Sequence, residues 1–149
     1  MALDNGKILW QMGSNDVIVP ERKPVLYSAT TLNTASGTTP VTLFTGSPYY
    51  YLTRLLVSVD PNCTTSGGGM ISATFTDSAF GIVGQIRFYA PASFTAPTIA
   101  TPSVVLESGT GYYFNSTTSG STLSVALNNP LTGGSVRLAV NYGFTNYTA

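Results

Sequence analysis

The side chains best equipped for chemistry are six carboxylates, Asp4, Asp16, Glu21, Asp60, Asp77 and Glu107, and the single thiol of Cys63; histidine is absent. Without an imidazole, Ser-His-Asp and Cys-His nucleophile activation and histidine metal centres are excluded as written. A glycosidase needs two carboxyl groups flanking one bond. Asp60 and Asp77 are the pair that a folded sheet protein could bring together. No acid lies within three residues of another, whereas a calcium loop clusters several oxygen ligands. Cys63 sits between Asn62 and Thr64 with no neighbouring base or cation to lower its pKa, so it reads as a structural thiol. Gly67-Gly68-Gly69 lacks the Lys and Ser/Thr of a phosphate loop and reads as a turn. The expectation is a protein that is not an enzyme and has no cofactor and no metal.

Arg54, Arg87 and Arg137 are spread over a chain whose six cations balance six anions. Nucleic-acid affinity rests on clustered cations, so none is expected here. The aromatic groups are more suggestive. Tyr49, Tyr50 and Tyr51 open one apolar run, Tyr112, Tyr113 and Phe114 form another, and Tyr142, Phe144 and Tyr147 lie near the C-terminus. Tyrosine offers apolar area with a hydroxyl handle, suited to stacking on sugar rings or to a protein interface. Tyr49, Tyr50, Tyr51, Tyr112, Tyr113 and Arg137 are therefore candidate interface or glycan contacts, although core positions with a hydroxyl at the surface would produce the same pattern.

The elements that must position these residues read as strands. Ser121–Asn128 alternates Leu123, Val125 and Leu127 with polar or small residues, and Ser135–Phe144 alternates Val136, Leu138, Val140, Tyr142 and Phe144 in the same way. A period of two sends successive side chains to opposite faces. The intervening Asn129–Gly134 makes the two segments look like one antiparallel hairpin, whose outer wall would carry a subunit interface. Val25–Leu32, Val41–Thr45, Tyr49–Asp60, Met70–Thr76, Phe80–Ala90, Ser103–Glu107 and Gly111–Asn115 bring the total to nine strands with no convincing helix. Leu55, Val57 and Val59 share a face in the third of these, and Ile82, Gly84, Ile86 and Phe88 share one in the fifth. Strands this short and this regularly punctuated predict an all-β antiparallel sandwich, jelly-roll-like.

The chain has 149 residues, and its strand-rich region, 25–149, is one domain's worth of chain. Only 8% of residues are charged, against roughly 25% in an average soluble protein, and mean hydropathy is +0.20. No run approaches the roughly 18 apolar residues of a spanning helix, and the wet strand faces are Ser/Thr/Asn, so no membrane partner is expected. Zero net charge leaves little repulsion between copies, which favours self-association.

Residues 1–24 differ. They hold half of the charges but no sustained period, and Pro20 and Pro24 bracket Glu21-Arg22-Lys23. This reads as an extended N-terminal arm without a signal peptide. Either it packs over its own domain as a first strand or strap, or its apolar Ile8, Leu9 and Trp10, with Arg22 and Lys23, are docking residues toward a neighbouring subunit.

With its arm, its histidine-free Ser/Thr/Gly-rich sandwich and the ending Gly109-Thr110-Gly111-Tyr112-Tyr113…Gly134-Ser135-Val136-Arg137-Leu138-Ala139-Val140-Asn141-Tyr142, the chain resembles the small accessory virion proteins of tailed bacteriophages. That resemblance implies a capsid decoration or cement protein, a jelly-roll homotrimer that stabilises the head by binding the assembled shell. Its partners would be itself and the major capsid protein, and its location the virion. A receptor- or glycan-binding head of a tail fibre is the alternative.

Overall fold

The computed structural model describes residues 26–94 and 114–146 in full, and residues 2–4, 7–12, 15–20 and 103–107 by their backbone alone. Three short strands come first: β1 (Ala2–Asp4), β2 (Lys7–Met12) and β3 (Asn15–Pro20). They pair antiparallel with one another in the order β1-β2-β3, so extended backbone in residues 1–24 is organised as a small meander.

The strands that follow are β4 (Leu26–Asn33), β5 (Val41–Thr45), β6 (Tyr49–Val59), β7 (Thr64–Thr65), β8 (Gly69–Asp77), β9 (Gly81–Ala90), β10 (Ser103–Glu107), β11 (Phe114–Asn115), β12 (Thr122–Leu127), β13 (Leu131–Gly133) and β14 (Ser135–Thr145). Each of the nine strands expected between residues 25 and 144 has a counterpart, that of Gly111–Asn115 only in Phe114–Asn115, since residues 111–113 lie outside the described residues. They form two antiparallel sheets, β10-β6-β14-β4 with β11 beside β6, and β5-β12-β8-β9. Apart from the β8–β9 hairpin, each long strand lies in the opposite sheet from the one before it. That winding is a jelly roll, and it follows from strands with one apolar face each, which must be covered by a second sheet.

The core lies between the sheets. Leu32, Leu55, Val57, Val136, Leu138 and Val140 of the first sheet face Ile71, Phe75, Ile86, Leu123 and Val125 of the second, and these side chains are almost completely buried. Phe44 on β5 stacks on Tyr142 on β14 at 3.8 Å between ring centroids, closing one side of the sandwich.

The hairpin expected over Ser121–Phe144 is not formed. β12 pairs with β5 and β8, while β14 pairs with β4 and β6 in the other sheet. Between them β13 pairs with β7, and Gly134 turns the chain across the sandwich at φ +69°. A Cβ there would lie 2.6 Å from the Cys63 Cα, so the crossing requires glycine. The polar faces of β12 and β14 are consequently opposite outer surfaces of the domain, and no single wall of that hairpin exists to carry an interface.

Two bulges also change which face a residue occupies, because one extra residue inverts every side chain beyond it. On β6, Arg54 pairs with Asn141 and Leu52 with Tyr142, leaving Thr53 unpaired. Leu55, Val57 and Val59 then point inward on one side of the bulge, and Leu52 and Tyr50 on the other. On β9, Phe75 pairs with Gly84 and Thr76 with Ile82, leaving Val83 unpaired. Ile82, expected on the face of Ile86 and Phe88, is turned outward and is 62% exposed.

Candidate functional site

The two acids most open to pairing are far apart. Asp77 ends β8 beside Tyr50 at the start of β6, and Asp60 follows the other end of β6. About ten strand residues separate them, roughly 30 Å. Asp60 accepts a hydrogen bond from the Ser135 hydroxyl at 2.9 Å. Among the described residues no three of His, Cys, Asp and Glu gather where they could hold a metal ion.

Asp77 is 1% exposed and fully occupied. Its Oδ2 accepts the Tyr50 hydroxyl at 2.6 Å and the Ser121 hydroxyl at 2.7 Å, and its Oδ1 accepts the backbone N–H groups of Ala79 and Phe80, both at 2.8 Å. Burial alone would push the carboxyl pKa up; the Tyr50, Phe80, Ser121 and Ala79 hydrogen bonds outweigh it and hold the group below the usual carboxylate range. The carboxylate folds the β8–β9 turn and ties it to the first sheet, with no lone pair turned toward solvent. At the other end of the sandwich, burial and then the charge of Asp60 push the Cys63 thiol up to about 11. A thiol so placed is protonated at neutral pH and is no nucleophile.

The tyrosine triplet is divided by the pleat. Tyr50 is fully buried, its ring edge-on to Phe44 and its hydroxyl held by Asp77, which removes it from any contact surface. The Thr53 bulge is the physical reason. Tyr51 points outward and lies over Gly143, its register partner on β14, where a Cβ would collide with the phenol hydroxyl. Tyr49 is half-buried opposite Thr145. Arg137 lies on the same outer face, but its partner on β6 is Ser58, seven residues from Tyr51 and so roughly 20 Å along the strand. These candidates therefore do not form one site. Ile8, Leu9 and Trp10 fall on β2, and Arg22, Lys23, Tyr112 and Tyr113 lie outside the described residues.

Three surface features remain. On the outer face of the first sheet, Arg137 Nη2 donates to the Tyr27 hydroxyl at 3.2 Å. Their register partners are Thr31 and Asn141, so the two side chains converge over the Ala29–Ala139 pair. On the outer face of the second sheet, Pro40, Thr74, Thr76, Ser124 and Asn128 line a shallow groove of about 230 Å³, below the 300–1,000 Å³ usual for small-molecule sites. The third is apolar: Met70, Phe80, Ile82, Tyr89 and Phe94, five of the seven large exposed apolar side chains among the described residues, lie on or beside the β8–β9 hairpin. They fall in two groups, Met70 with its register partner Tyr89 at one end of the hairpin and Phe80 with Ile82 at the other, and periodicity missed the exposure of Ile82 because the Val83 bulge leaves no mark in a run of apolar residues.

No protein-family model matches the chain and no curated protein resembles it. Among solved structures it is similar to a chain of the virus-like particle of the giant freshwater prawn Macrobrachium rosenbergii extra small virus, at 11% identity and TM-score 0.36, covering 95% of this chain and 99% of that one. It is also similar to chains of infectious bursal disease virus, Gt strain at 15% identity and TM-score 0.29, and Gx strain at 14% and 0.31. The alignment covers 99% of this chain and 38% of each of those.

Proposed function

We propose that this chain is a non-enzymatic structural subunit of a virus particle. The observation that carries the reading is the strand order, β10-β6-β14-β4 facing β5-β12-β8-β9, since double-sheet jelly rolls of this kind serve as capsid and lectin domains. The surface favours the first use. Asp77 is consumed by the fold, Tyr50 is internal and Tyr51 is spent on Gly143, so the triplet offers no stacking platform for a sugar. What lies outside is low in charge and carries large exposed apolar side chains at both ends of the β8–β9 hairpin, which suits packing against other protein.

More specifically, the chain would decorate the head of a tailed phage as a homotrimer, with residues 1–24 reaching the major capsid protein and the sandwich facing outward. The mechanism is mass action: a subunit that binds only the assembled lattice stabilises that lattice. Quantitative mass spectrometry of purified particles tests the general reading, which requires this chain in fixed ratio to the major capsid protein; its absence from particles overturns it. Deleting residues 1–23 tests the finer one. The expected product is a folded β domain that no longer co-sediments with capsids, and normal decoration by that product would exclude the docking arm.

A further inference from the structure

β9 is the edge of its sheet: among the described residues it pairs with β8 and with no strand on its other side. An unpaired edge presents a row of free N–H and C=O groups, and a second strand of suitable side-chain pattern can complete it. Arg87 is the one formal charge on that edge between Gly81 and Ala90.

We propose that two copies of this chain associate through their β9 strands, antiparallel, about a two-fold axis at Ile86. In that register Ile86 faces its own copy, Gly84 faces Phe88 and Gln85 faces Arg87. Inward residues meet inward residues and outward meet outward, as an antiparallel ladder demands. The outer pair sets the Gln85 amide of one copy opposite the Arg87 guanidinium of the other, an acceptor and a donor that already bond at 3.4 Å as neighbours on one strand, and on the inner face Gly84 leaves room beside the core-facing Phe88.

The other registers that keep the faces matched are poorer. An axis at Arg87 sets two guanidinium groups directly opposite each other, which is destabilising. At Gln85 the axis brings Arg87 against the bulged Val83. At Phe88 it sets two large rings head-on, and the overlap ends at Ala90, where the strand stops. The Val83 bulge confines the favoured pairing to Gly84–Phe88, so the contact closes as an isologous dimer instead of extending. Zero net charge offers no long-range opposition.

The inference concerns the purified chain and does not depend on the virion reading. Sedimentation equilibrium of the purified chain is expected to give a species of twice the 15.6 kDa chain mass, or of six chains where the trimer proposed for decoration also forms; a trimer alone overturns the pairing. Gln85→Lys places an ammonium opposite Arg87 at two symmetric positions and should weaken the dimer by about 10-fold or more in Kd. Adding Arg87→Glu to that variant converts both clashes to ion pairs and should restore association. Gln85 and Arg87 are exposed, so the monomer fold, followed by circular dichroism, should be unchanged in both variants. A monomeric wild type, a dimer indifferent to Gln85→Lys, or a double variant as weak as the single one each overturns the proposal.

Discussion

The hydroxyl of Tyr50 donates to the carboxylate of Asp77 across 2.6 Å, joining β6 of one sheet to the β8–β9 turn of the other in a site closed to solvent. Tyr50→Phe keeps the ring packed against Phe44 and removes only that bond. A hydrogen bond to a buried charge contributes about 1.5–3 kcal/mol, and the loss should appear in full because Asp77 has no solvent to replace the donor. Urea titration should show a lower midpoint with an unchanged m-value; a midpoint equal to wild type would mean the bond contributes nothing.

The same carboxylate sets an acid limit. Its folded pKa lies below the ordinary value, and an unfolded aspartate titrates near ~3.9. The unfolded chain therefore takes up the proton first as pH falls. The stabilisation is complete above the unfolded value and is lost as pH falls through the folded one. Stability measured from about pH 6 downward should decline across that window in the wild type, and the decline should be shallower in Asp77→Asn. Equal slopes in the two proteins would exclude Asp77 as the group responsible.

How far these features could be read in advance differs by level. The strands of the two large sheets were legible, since alternation such as Leu123, Val125, Leu127 needs only the pleat, whereas β1–β3, β7 and β13, short or without alternation, were not. Partnership was not. Alternation states which side of β12 and β14 is buried and is silent on whether they share a sheet, and the crossing depends on Gly134 approaching the Cys63 backbone, a contact set by chain segments about seventy residues apart. The Thr53 and Val83 bulges were hidden for another reason: each sits in a run where both faces carry apolar residues, so shifting the phase leaves the pattern acceptable. Tyr50 thereby moves from candidate surface to core, and Ile82 from core to surface. The sequence offers Asp77 only as an acid that could pair with Asp60; its actual role requires Tyr50 and Ser121 to arrive from distant parts of the chain.

Tyr51 and Gly143 offer a pairwise test of the outer face. Gly143→Ala puts a methyl where the Tyr51 ring lies, and overpacking of this kind costs about 1–3 kcal/mol. In a Tyr51→Ala background the obstacle is gone and the same substitution should cost less than about 0.5 kcal/mol. A double-mutant cycle by thermal or urea unfolding reads the coupling directly. Additive effects would mean that the ring moves aside without penalty and that Gly143 is not there to receive it.

Cys63 gives the last test, at the end of the sandwich opposite Asp77. The thiol is 2% exposed and its pKa is raised to about 11, by burial first and by the Asp60 charge second. Against a free thiol near ~8.5, this leaves on the order of 10² times less thiolate at pH 8. Reaction with an aromatic disulfide reagent should be correspondingly slow in the folded protein and fast in denaturant. Because burial is the larger cause, Asp60→Asn should leave labelling slow. Gly134→Ala should speed it, since a Cβ at 2.6 Å from the Cys63 Cα must push the two backbones apart. Fast labelling of Asp60→Asn alone would show that charge and not enclosure protects the thiol, and fast labelling of the wild type that neither does.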